Sequence, residues 1–66
     1  MNTSQLKIQI RNIVGIDVTD KASATVASLA LKQVADIMKD MNDHSGYEAM
    51  YRMSIYAIEL RNAMAR

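Results

Sequence analysis

Met50, Met53, Ala57, Leu60 and Met64 follow one another at alternating intervals of three and four residues, the spacing that lines up one face of an α-helix. Apolar character extends well beyond that seam. With successive residues turned by about 100°, Tyr56 flanks the seam on one side, and Tyr47, Tyr51, Ile55 and Ile58 flank it on the other. Glu48, Arg52, Glu59, Asn62 and Arg66 are left as a narrow polar strip. A helix apolar round most of its circumference is normally buried on several sides. A chain of 66 residues has few other elements to cover it. The surplus face is therefore expected to meet another subunit or a different protein.

Size sharpens that expectation. A single domain this small buries only about 60% of its unfolded surface, and disulfides, a metal or oligomerisation usually make up the deficit. The chain has no cysteine, which excludes disulfides and thiolate metal sites and leaves oligomerisation. Half of the residues are hydrophobic, too many for a disordered chain. Phe and Trp are absent, so the core must be aliphatic and Met-rich, with help from tyrosine.

Eight basic and seven acidic side chains leave a formal charge of +1. That balance argues against a dedicated nucleic-acid binder, which carries a clustered basic surface. It argues equally against an acidic mimic of DNA. No apolar run is long enough to span a membrane. The start, MNTSQLKIQIRN, lacks the basic head and apolar core of a signal peptide, so a cytoplasmic protein is expected.

Gly15 and Gly46 divide the chain into three pieces. In the first, Thr3 or Ser4 can cap a helix with Leu6, Ile10, Ile13 and Val14 on one face. Gly15 would then be its left-handed stop and Ile16 the apolar contact after it. Residues 6–11 and 16–19 also alternate as strands do, so residues 5–19 could instead form a short hairpin. A two-stranded ribbon covers two long helices poorly, and the helix is preferred. The second piece reads as a helix begun by Asp17, Thr19 or Asp20. Ser23, Ala27, Ala30, Val34, Ile37 and Met41 form its expected core seam, with Lys21, Ser28, Lys32 and Lys39 on the opposite face. Asn42, Asp43 and His44 form a turn, and Ser45 with Glu48 matches a capping box for the third helix. Arg61 and Arg66 suit that helix's carboxyl end.

The expected fold is all-α. A short N-terminal helix (about 4–14) joins a long antiparallel hairpin (about 20–41 and 46–65), and the single domain 1–66 packs as an oligomeric helical bundle.

Candidate chemistry is sparse. Asp43, His44 and Ser45 spell a hydrolytic triad, but three consecutive residues cannot build the relay by themselves. Asp40, Asp43, His44 and Glu48 match no established zinc or calcium spacing, so neither catalytic residues nor metal nor cofactor is expected. Tyr47, Tyr51, Arg52, Ile55 and Tyr56 are the candidate interface, because tyrosine and arginine commonly anchor protein contacts. The expected role is a small non-enzymatic regulator or inhibitor of phage or mobile-element type. It would pair with itself and with another protein through helices. One alternative is an oligomer that sequesters a nucleotide or other small anion on Tyr and Arg side chains. A second is nucleic-acid binding through the lysine face.

Overall fold

Three helices account for most of the chain: α1 Thr3–Val14, α2 Lys21–Asp40 and α3 His44–Met64. The computed structural model describes residues 2–64; the expectations for Arg66, and for a last helix reaching residue 65, lie outside the described residues. Residues 5–14 are helical, not half of a hairpin, and there is no strand among the described residues.

Local chemistry explains each boundary. Asn2, rather than Thr3 or Ser4, caps α1: its side-chain oxygen accepts from the Gln5 N–H at 2.8 Å. Gly15 ends α1 with φ 72°, and its N–H reaches the Arg11 carbonyl at 2.9 Å, the left-handed stop expected of a glycine. Asp20 caps α2 by accepting from the Ser23 N–H at 2.8 Å. The Ser23 hydroxyl accepts in return from the Asp20 N–H at 3.0 Å. Ser23 is thus spent on the cap and contributes no core seam.

The link between α2 and α3 is tighter than the sequence suggested. Asn42 takes φ 60°, its N–H donates to the Lys39 carbonyl, and the Asp43 N–H donates to the Met38 carbonyl at 2.8 Å. This is a Schellman closure with asparagine in the left-handed position. The next residue starts α3, because Asp43 Oδ1 accepts from the Gly46 N–H at 2.9 Å. Asp43 is therefore the cap, and the expected Ser45–Glu48 box does not form the boundary. The closure leaves no residue over for a longer turn. A Cβ at Gly46 would crowd the Asp43 carboxylate and the Met38 sulfur, and those side chains would have to shift to admit it.

α2 and α3 pack together, and α1 lies against both. The core contains Leu6 and Ile10 from α1, Val18 from the connecting segment, Ala24, Ala27 and Leu31 from α2, and Met53 and Ala57 from α3. Met50, Leu60 and Met64 pack against its edge, so the seam read along α3 is the one that faces the core. Between Gly15 and α2, Ile16 and Val18 pack inward while Asp17 and Thr19 stay exposed.

On α2 the expected seam is wrong by about a quarter turn. Ala24, Ala27, Ser28, Leu31 and Ala35 are buried, whereas Ile37 and Met41 are 58% and 73% exposed. Ser28, expected on the solvated face, is buried and donates to the Ser54 carbonyl at 2.9 Å. Small side chains on α2 and the Ser54–Ala57 stretch of α3 let the two backbones approach closely. The larger Ile37 and Met41 would hold them apart.

Candidate interaction surface

Two flanks of α3 differ in what covers them. On one flank Tyr56 lies with Glu59, Leu60 and Ala63 beside a groove whose other wall is Thr3 and Leu6 of α1. On the opposite flank Tyr51, Ser54, Ile55 and Ile58 meet Ser28, Leu29 and Lys32 of α2 around a shallow groove of about 310 Å³. No α1 residue lines this second groove. Leu29 is 59% exposed, Tyr51 42% and Ile55 45%, so apolar surface from two helices lies side by side in water.

The structure separates the five residues expected to form one interface. Tyr51 and Ile55 share the open groove. Tyr47 extends it by one turn, its ring 5.9 Å from that of Tyr51 and tilted by 33°. Lys39 Nζ sits 5.5 Å from the Tyr47 ring centroid, a cation–π contact that ties the lysine side of α2 to the tyrosines of α3. Arg52 is exposed but lines neither groove, and Tyr56 belongs to the α1 side.

Leu29 and Lys32 are the participants that sequence reasoning missed. Lys32 had been placed on a face away from α3. Once Ser28 turns inward to reach Ser54, Leu29 and Lys32, one and four residues later, are carried to the rim of the same groove. Local spacing carried no signal for this, because the acceptor that turns Ser28 inward lies 26 residues away.

The electrostatics are mild. Among the described residues the one ion pair joins Arg11 Nε to Asp17 Oδ1 at 3.3 Å, on exposed surface remote from the groove. Among the described residues Asp20 is the one carboxyl with a clear perturbation. The Ser23 backbone N–H, and then the Ser23 hydroxyl, hold it below the ordinary aspartate value of 3.8. That carboxylate is a helix cap and has no part in the groove.

The Asp43–His44–Ser45 triplet builds no relay: Asp43 caps α3, and His44 and Ser45 are exposed in its first turn. No three His, Asp or Glu side chains among the described residues converge on a common metal position. No helix among them is long and apolar enough to cross a membrane.

No protein-family model matches this chain, and neither a curated protein nor a solved structure matches it.

Proposed function

We propose that this is a non-enzymatic binding protein that works through helix-mediated protein–protein contact, with the open side of α2 and α3 as its working surface. One observation carries the proposal. Leu29, Tyr51 and Ile55 stand exposed together, while Ile10 and Leu31 are the largest side chains that are fully buried. The other wholly enclosed core positions are alanines: Ala24, Ala27, Ala35 and Ala57. So thin a core stabilises a 66-residue chain weakly, and covering the open side would strengthen it. α2 and α3 form an antiparallel hairpin in this account. The nearness of Met38 to Gly46 and of Ser28 to Ser54, across the short link 41–43, supports that direction.

A protein of this kind regulates or inhibits by occluding a surface of its target. Tyr51 and Ile55 are the expected anchors, since large side chains at the centre of a patch supply most of the affinity. The test is a pull-down from bacterial lysate with the tagged chain. A stoichiometric partner should be recovered, and it should be lost in a folded Tyr51→Ala, Ile55→Ala variant. Recovery undiminished by that variant would move the working surface elsewhere.

The Lys39–Tyr47 contact and the Tyr47–Tyr51 pair favour a second reading, in which a planar anionic ligand stacks on the tyrosines beside Lys32 and Lys39. A thermal-shift screen against nucleotides distinguishes the two, because a ligand that binds the native state raises the midpoint.

A further inference from the structure

The open side carries apolar surface that nothing among the described residues covers, and its borders differ in charge. Tyr47, Tyr51, Ile55 and Ile58 recur every three or four residues and form a stripe along α3. Toward α2 the stripe is bordered by Lys32, which shares its groove, and by Lys39 over Tyr47. On the side away from α2, helical geometry at about 100° per residue places Glu48 and Glu59, with Arg52 one step further round. Lys32, Glu48 and Glu59 are all exposed. Asp36, one turn beyond Lys32, is the exception on the α2 border.

We infer that the occupant of this side is a second copy of the same chain, related by a two-fold axis running along the α3 stripe. The inference rests on the reading of the open side as a binding surface and names what binds there. A two-fold interface is self-complementary, so each patch must satisfy its own image. An axis along α3 lays the apolar stripe on itself and turns the Lys32 border over the glutamate border of the other copy. Lys32 lies level with Tyr51, and Glu48 is one turn away, so the two charges meet across the interface. An axis across the helices would instead set Lys32 against Lys32. The area also suits a dimer. The molecule is 18 Å across, and each long helix runs about 30 Å. With side-chain relief counted, a face of that size is of the order of the ~800 Å² per partner in a stable interface of standard size.

Light scattering and sedimentation of the full chain at micromolar concentration test the inference. The wild type should have the mass of a dimer. Ile55→Glu on α3 and Leu29→Glu on α2, both at exposed positions, should each give a monomer with unchanged helicity. Lys32→Glu and Glu48→Lys should each weaken dimerisation roughly three- to tenfold at low salt, and the two together should restore it. A dimer indifferent to both Ile55→Glu and Leu29→Glu overturns the inference, as does a charge-reversed double variant weaker than either single one. A wild type that stays monomeric but captures a stoichiometric foreign partner overturns the second copy and leaves the binding surface standing. A monomer that captures nothing overturns both.

Discussion

The core-facing side of α3 and its open side carry similar apolar side chains and meet opposite fates. On one, Leu6, Ile10 and Val18 arrive from earlier in the chain, and Met53 and Ala57 are buried beneath them. On the other, Tyr51 and Ile55 border a shallow groove shared with Ser28, Leu29 and Lys32 and remain exposed. The difference lies in supply. α1 is 12 residues long and α2 is 20, and among the described residues α1 packs along one flank of the longer helices while none of its residues lines the groove on the other. Apolar patterning marks which surfaces need covering; the placement of α1 decides which of them is covered.

The contrast is broken most forcefully from the covered side. Leu31 is fully buried, so Leu31→Ala should destabilise the fold by about 2–5 kcal/mol in a denaturant titration. Ala57 is also fully enclosed, where α3 meets the core. Ala57→Leu should cost about 1–3 kcal/mol by overpacking, read in the same titration. A stabilised Ala57→Leu variant would mean that space for a larger side chain remains between the helices at Ala57. Ile37 was expected in the core and lies outside it, 58% exposed. Ile37→Ala should therefore change stability by less than about 0.5 kcal/mol, and a loss like that of Leu31→Ala would restore the seam first read from the sequence.

The smallest effect belongs to the α2 cap. Folding lowers the Asp20 pKa, so its contribution is complete above the ordinary value of 3.8. It declines as pH falls below that value and is gone below the lowered folded value. Asp20→Asn keeps a capping oxygen without the charge. It should flatten this part of the acid limb in pH-dependent thermal melts, while the wild type loses stability there. Identical acid limbs would show that the hydroxyl and N–H of Ser23 do not favour the charged form.

The sequence was legible where residue types were unambiguous. Gly15 stops α1 in the left-handed conformation and the Met50–Met64 seam faces the core, whereas three residues, Asp17, Thr19 and Asp20, competed for the α2 cap that Asp20 provides. α2 was misread because it is apolar on several sides: Leu31 and Val34 compete with Val26, Leu29 and Ile37 for the inward position. Size and a hydroxyl decided the outcome. Alanines and Ser28 permit close packing, and Ser28 finds an acceptor in the Ser54 carbonyl, a partner 26 residues away that local periodicity does not reveal. The same rotation explains why half of the candidate surface was missed. Tyr51 and Ile55 were visible as surplus on α3, whereas Leu29 and Lys32 became their neighbours only when Ser28 turned inward. At the start of α3 two capping patterns overlapped. Asp43 prevailed over Ser45 because the closure at Asn42 delivers the chain directly to it.

The chain contains no cysteine, so a single introduced thiol reports its own position. Alkylation rates of Ile55→Cys, measured over a dilution series, test the uncovered flank most directly, with Ala57→Cys and Ile37→Cys as buried and exposed references. At high dilution Ile55→Cys should react nearly as fast as Ile37→Cys. As concentration rises it should slow by about tenfold or more, in step with dimer formation, while Ile37→Cys stays fast and Ala57→Cys stays slow. An Ile55→Cys thiol that is protected even at the highest dilution would contradict the open flank, and one that reacts rapidly at every concentration would contradict its being covered by a second copy.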